Sequence, residues 1–204
     1  MKLSNTREER HKTRRFFNSI SIIYPFIERN LAPSYARALA LLNFDPELNV
    51  LDLATGTGIL AGTFSHRGHQ VEGLDFAEKL LRRARRQFPE VSFQSFDLVD
   101  LHKIPENSHA IVCMGFLLHG LDAEFRLEIL SQAARIATDR VVVFDYGREG
   151  NFVVRFIEWV EGPHYPGFLE ASREDEFGRA GLEVLEEFEF SEYGTVWVCE
   201  NCSQ

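Results

Sequence analysis

The 204-residue chain has little cysteine, methionine or tryptophan, with three, two and two residues. Three thiols cannot all pair within one chain. A disulfide framework is therefore not expected, and a reducing cytoplasm is the simplest setting. Cys199-x-x-Cys202 has no second cysteine pair to complete a four-ligand zinc site, so no metal is expected. There is also no excess of positive charge. The 22 Lys and Arg face 31 Asp and Glu, a formal net charge of −9. Proteins that wrap nucleic acid usually present a basic face, so nucleic acid is not an expected partner. No apolar run reaches the length of a membrane span. The first ten residues, MKLSNTREER, lack the apolar core of a secretory signal. Tyrosine is scarce, at five, whereas phenylalanine is abundant, at 18. That imbalance points to a large aromatic core, an apolar pocket, or both.

The length fits one domain with at most a small appendage. Residues 5–45 read as helical, with Pro25 inside an apolar stretch and Pro33 placed to open a further helix over 34–42. From residue 48 strands and helices alternate. Strands are expected at 48–53, 70–75, 91–96, 109–114 and 140–145, and helices at 58–66, 77–88 and 123–137. In the helix at 77–88, Ala77, Leu80, Leu81, Ala84 and Phe88 share one face, and Arg82, Arg83, Arg85 and Arg86 take the solvated side. Crossover helices between strands imply a parallel sheet covered on both faces. Residues 151–161 are a helical candidate, and Gly162-Pro163-His164-Tyr165-Pro166-Gly167 reads as a loop. Ser172 opens a helix and Gly181 ends it. Two last strands, 182–190 and 195–200, are joined by a short link, which makes a hairpin and one antiparallel strand.

The chemistry is concentrated in VLDLATGTGIL, residues 50–60. An apolar strand carries Asp52 in its middle, turns through Gly56 and Gly58, and continues as a helix. Glycines there let backbone approach a ligand, and the helix start offers unpaired N–H groups. Ligands of open parallel sheets sit beyond the carboxyl ends of the strands. Asp75 ends the second strand about 20 residues further on, the offset at which an acid meets a ribose diol. Asp75 would otherwise serve as a cap for the helix at 77–88. The pattern points to an adenosine-type ligand. Gly56-x-Gly58-x-x-Ala61 also fits a loose dinucleotide fingerprint, which leaves an NAD(P)-binding oxidoreductase as an alternative. Asp52, four residues before Gly56, suits the cationic methionine end of S-adenosylmethionine and would repel a pyrophosphate.

VLDLATGTG, VEGLDFAEKLLRRAR, SFDLVDLHKIPENSHAIVCMGFLLHGLD and RVVVFDYGREG resemble, in order, the motifs of class I S-adenosylmethionine-dependent methyltransferases. More narrowly they resemble the C-methyltransferases of ubiquinone and menaquinone biosynthesis. RRFFNSISIIYPFIERNLAPSYARAL and HYPGFLEASREDEF extend the similarity over nearly the whole chain. The resemblance implies an α/β, Rossmann-like fold: a seven-stranded, mostly parallel sheet with one antiparallel strand in a C-terminal hairpin. A helical cap over 1–45 would precede a methyltransferase domain over 46–204. It implies that Asp52, Ala54, Thr55, Gly56 and Gly58 surround the methionine moiety of S-adenosylmethionine. Asp75 would bind the ribose with Phe76 beside the adenine. Asp97 and Leu98 would meet the adenine, and Met114 and Gly115 would lie near the sulfonium. Three positions depart from that pattern: Ala54 replaces a frequent glycine, Pro25 follows Tyr24 where Asp is expected, and Gly120 follows His119 where the quinone enzymes carry Arg-Asn.

The expected activity is methyl transfer to a small, aromatic or apolar acceptor. A methyltransferase-like protein that only binds the ligand as a sensor or partner is the alternative from another class, and an RNA methyltransferase is a further one. His119, just after the fourth strand, is the first candidate base, because imidazole titrates near neutrality. His164 is the second, and Tyr24 is a third candidate from the N-terminal resemblance. Phe16, Phe17, Tyr24 and Phe26 before the sheet, and Phe152, Phe156, Trp159, Tyr165 and Phe168 after it, are the expected apolar cover. Each of these also fits a plain core role.

Overall fold

In the computed structural model the structure describes residues 24–150 and 163–202, with side chains from Leu31 onward. The candidate helix at 151–161 and the side chains of Phe16, Phe17, Tyr24, Phe26, Phe152, Phe156 and Trp159 lie outside the described residues. Helix α1 spans Tyr24–Leu42. Strand β1 (Val50–Leu53) leads through the glycine turn into α2 (Ile59–Ser65). Then come β2 (Val71–Asp75), α3 (Glu78–Gln87) and β3 (Ser92–Ser95). A 3₁₀ turn at Leu98–Lys103 precedes β4 (His109–Gly115), and another at Leu118–Gly120 follows it. Helix α4 (Ala123–Ile136) runs into β5 (Ala137–Tyr146). Two short helices, α5 (His164–Glu170) and α6 (Arg173–Arg179), precede β6 (Leu182–Glu189) and β7 (Gly194–Asn201).

The seven strands form one sheet in the order β3-β2-β1-β4-β5-β7-β6. The first five are parallel, and β7 runs antiparallel to both of its neighbours. This is the expected mixed sheet with one reversed strand. Strand direction reverses its connection order between β1 and β4, which places the switch point at the carboxyl ends of those two strands. The sequence explains the burial. Strands β1, β4 and most of β5 are apolar at successive positions because helices cover both sheet faces. One core holds Leu51, Leu53, Val112, Met114, Ile129, Phe168 and Trp197. The other holds Tyr35, Leu39, Phe64, Phe88, Phe93 and Phe144. Much of the excess phenylalanine sits in these two layers, where each buried side chain contributes roughly 1.5–3 kcal/mol.

Three local expectations change. Pro33 lies inside one continuous helix, not at the start of a second. Residues 164–170 are helical where Gly and Pro content suggested a loop. Pro163 stands at the N-cap and Pro166 in the first turn, where a missing N–H costs nothing, so both prolines start the helix. Arg85 is not simply solvated: it donates to the Phe93 carbonyl and pairs with Glu78 at 2.7 Å, tying α3 to β3.

Candidate active site

The turn after β1 is built from left-handed backbone. Ala54, Gly56 and Gly58 have φ of 55°, 57° and 80°. Gly58 is the N-cap of α2, and a Cβ there would stand 2.6 Å from the Phe93 ring. Only glycine meets both demands. Ala54 holds the same backbone region with a methyl group, at a cost of about 1 kcal/mol. The turn thus presents the first N–H groups of α2 at the carboxyl edge of the sheet.

Two buried acids fix this turn from below. Asp52 is 1% exposed and accepts the Thr55 hydroxyl at 2.5 Å, with the Cys113 thiol 3.6 Å from its other oxygen. Burial pushes its pKa up to about 7, and the hydrogen bonds from Thr55 and Cys113 only partly offset that. Asp75 spans the gap between two elements. One oxygen accepts the Gly56 N–H at 2.8 Å and the other the Ala77 N–H at 2.7 Å. Its pKa is also raised by burial. The carboxylate therefore braces the glycine turn against the start of α3, a role close to the capping alternative. Phe76, next in sequence, is half-buried. Asp97 caps the 3₁₀ turn through the Val99 N–H, and Leu98 is buried beside it. The Met114 side chain is fully buried in the core, so this residue faces the carboxyl edge only with its backbone. Gly115 admits Tyr35 from α1: a Cβ there would lie 2.7 Å from the tyrosine hydroxyl. Burial, with Asp52 and Asp145 nearby, holds the Tyr35 phenol well above its usual pKa.

A second group of residues lies at the ends of β4 and β5. The His119 Nδ1 is 2.7 Å from Asp145 Oδ1, and both side chains are buried. Asp145 Oδ2 also accepts the backbone N–H of Leu118 at 2.8 Å and of His119 at 3.3 Å. Oδ1 accepts the N–H of Tyr146 at 2.8 Å. The imidazole is walled by aromatic rings: Tyr146 at 4.9 Å, Phe116 at 6.2 Å, Tyr165 at 6.3 Å and Phe168 at 6.4 Å between centroids. Phe116 adopts φ 51°, a strained backbone for a bulky residue. It re-aims the chain from β4 into the turn that carries His119.

Helix α5 brings Tyr165 and Phe168 to this wall and is held there by charge. Arg126 of α4 and Glu176 of α6 form a buried pair at 2.8 Å, and Arg173 meets the other Glu176 oxygen at 2.6 Å. The Arg173 guanidinium lies 3.9 Å from the Phe168 ring centroid. His164 is half-buried at the opening of α5. The sequence singles out His119 as a candidate but not Asp145, Tyr35 or the Arg126–Glu176–Arg173 anchor, which the structure brings near it. Asp145 carried a usable signal: like Asp52 and Asp75, it is an acid at the end of an apolar strand, in RVVVFDYG.

Comparison with known proteins gives a family likeness and a shared fold. Residues 50–139 match the model of a family described as "Methyltransferase domain". Over that stretch the chain is similar to this family. Its fold recurs in solved structures of low identity. One is magnesium protoporphyrin IX methyltransferase of Synechocystis PCC 6803 with bound S-adenosylmethionine. It has a TM-score of 0.65 and 18% identity, over 85% of this chain and 79% of that one. A TehB-like methyltransferase of Corynebacterium glutamicum has a TM-score of 0.65 and 23% identity, over 90% and 99%. A chain of the complex between the Haloferax volcanii Trm112 methyltransferase activator and a methyltransferase has a TM-score of 0.74 and 18% identity, over 94% and 98%. No curated protein matches the sequence significantly. The matched stretch includes the glycine turn, both buried acids below it and His119. Asp145 and α5 follow it in the chain. Among the described residues, no helix is long and apolar enough to cross a membrane.

Proposed function

We propose that this protein is an S-adenosylmethionine-dependent methyltransferase whose acceptor is a small, aromatic or apolar molecule. The observation that carries the reading is Asp52. A carboxylate buried under a glycine turn, with its pKa raised to about 7, is a group in need of a nearby cation. The methionine ammonium and the sulfonium of S-adenosylmethionine provide one, whereas a pyrophosphate does not. When bound, that molecule supplies an activated methyl group. The chain's own residues do the rest. The start of α2 offers backbone N–H groups, Gly56 and Gly58 let the backbone approach the ligand closely, and Ala54 and Thr55 shape the turn. Asp75 keeps further lone pairs for a ribose diol, with Phe76 beside the adenine and Asp97 and Leu98 on its other edge. The backbone of Met114 and Gly115 closes the sulfur end.

Methyl transfer disperses charge in the transition state, so a dry, preorganised site favours it. The ring of Phe116, Tyr146, Tyr165 and Phe168 is suited to hold an apolar acceptor out of water. His119 is the proposed base, with His164 and Tyr24 as further candidates on the acceptor side. The narrower similarity to quinone C-methyltransferases makes hydroxylated ring precursors the first acceptors to try.

The test is calorimetric titration of protein stripped of small molecules with S-adenosylhomocysteine, using NAD⁺ as control. Micromolar binding of S-adenosylhomocysteine, weakened at least tenfold in Asp75→Ala and absent for NAD⁺, is expected. Failure of folded protein to bind it would overturn the reading, and binding of NAD⁺ instead would favour a dehydrogenase.

A further inference from the structure

Tyr35 comes to the carboxyl edge of the sheet from α1 and is only 4% exposed. Its ring is held on two sides. It stacks on Phe190 at 5.5 Å and stands edge-on to Phe144 at 5.1 Å between centroids. Its hydroxyl reaches the last residue of β4, where a Cβ on Gly115 would lie 2.7 Å from it. The missing side chain of that glycine is what admits the phenol. Among the described residues no hydrogen bond engages the hydroxyl. A buried O–H left unpaired is costly, so a group that meets it is expected from outside the chain.

The groups around the hydroxyl are of one kind. Burial first, and then Asp52 of β1, Asp145 of β5 and Cys113 of β4, hold the phenol well above its usual pKa, so it stays neutral. Neither acid has an oxygen waiting for it. Asp52 takes the Thr55 hydroxyl and the Cys113 thiol. Asp145 is occupied by His119 and by the backbone N–H groups of Leu118 and Tyr146. Asp145 has the His119 imidazole beside it, whereas among the described residues no ion pair reaches Asp52. Two carboxylates, a thiol and a phenol oxygen, brought from four elements, thus surround an end of β4 that is short of positive charge. That end is half of the switch point of the sheet.

We propose that Tyr35, backed by Asp52 and Asp145, reads the charge of the methyl donor: its phenol oxygen faces the sulfonium, so the site holds S-adenosylmethionine more tightly than the neutral thioether left after transfer. This rests on the methyltransferase reading above and adds a specificity to it. The two molecules share their adenosine, ammonium and carboxylate, and differ by one methyl group and one positive charge. Contacts of the glycine turn, of Asp75 and of Asp52 with the ammonium are therefore common to both. Only groups that feel the sulfur tell them apart, and in a buried site a unit charge counts for much more than in water. A neutral phenol suits the position, because its lone pairs attract the cation while it is too weak a nucleophile to take the methyl group itself. The arrangement has a cost and a return. Holding the charge in the ground state opposes its dispersal in the transition state, and the spent thioether is released rather than retained.

The test is calorimetric titration at pH 7.5 of the full chain, stripped of small molecules, with three ligands. They are S-adenosylmethionine, S-adenosylhomocysteine, and sinefungin, which carries an amine where the sulfonium methyl stands. The two cations are expected to bind about tenfold tighter than S-adenosylhomocysteine, or more. Tyr35→Phe keeps both ring contacts and removes only the oxygen. It should bring that ratio down to about threefold or less by weakening the two cations, with S-adenosylhomocysteine affinity changed by no more than about twofold. Thermal unfolding of the variant checks that it folds, and the ratio in the native protein decides the matter if it does not. S-adenosylhomocysteine bound as tightly as S-adenosylmethionine by the native protein, or a Tyr35→Phe variant that weakens all three ligands alike, would overturn the proposal and leave the methyltransferase reading standing. Binding of none of the three would overturn that reading, and the proposal with it.

Discussion

Asp52 shows how a buried acid weakens the fold that carries it. Its folded-state pKa, about 7, lies above the ordinary 3.8. Between those values the native state holds a proton that the unfolded chain has released. Stability therefore falls as pH rises across this window, and the loss is complete above about pH 7. A shift of this size corresponds to roughly 3–5 kcal/mol of burial cost. Asp52→Asn keeps the shape and an acceptor for the Thr55 hydroxyl without the charge. It should stabilise the protein by about 1–3 kcal/mol at pH 8 and by clearly less at pH 4, measured by urea unfolding at both values. Its affinity for S-adenosylhomocysteine should fall at least tenfold. Higher stability with unchanged affinity would mean that Asp52 serves the turn alone. The acid itself was plain in the sequence, because a carboxylate inside an apolar run is conspicuous. Its contact with Cys113 was not, since that pairing joins β1 to β4 across 61 residues.

Among the elements, α5 depends most on others. It has seven residues, one of them Pro166, with a further proline, Pro163, at the N-cap and no side-chain cap. A helix that short does not hold itself together. The buried pair Arg126–Glu176, with Arg173 stacked on Phe168, fastens it against α4 and α6. Glu176→Ala leaves Arg126 buried without its carboxylate and should cost about 3–5 kcal/mol in chemical denaturation. Replacing both partners, as Arg126→Met with Glu176→Leu, should recover most of that loss. If the double variant is no better than the single one, the pair is not what holds α5. This also explains why α5 was hidden in the sequence. Gly162-Pro163-His164-Tyr165-Pro166-Gly167 carries the composition of a loop, and tertiary contacts made by residues 40–50 positions away decide otherwise. The helices α3 and α4 were legible because their own apolar spacing specifies the buried face. The brief 3₁₀ turns at Leu98–Lys103 and Leu118–Gly120 have no periodicity to detect, yet the second one carries His119.

For the whole molecule, strand alternation and the closing hairpin were enough to predict the sheet, including its single reversed strand. They did not reveal which residues meet at its carboxyl edge. Asp52, Asp75 and Asp145 lie on different strands and converge only through the order β3-β2-β1-β4-β5-β7-β6. That order has a consequence for synthesis. The strand β7 is the last to be made, yet it lies inside the sheet, between β5 and β6. Until it emerges from the ribosome, β5 is an unpaired edge with Val141, Val142, Val143 and Phe144 in a row, the kind of surface that recruits other chains. Ribosome-bound chains stalled with β6 but not β7 outside the exit tunnel should remain protease-sensitive, and protection should appear only once residue 201 has cleared it. Early protection, before β7 is free, would show that the first five strands close without it. A protein arranged this way spends its translation with its most adhesive edge open. Its yield in a cell should therefore depend on how quickly the final hairpin is delivered, more than on how stable the finished fold is.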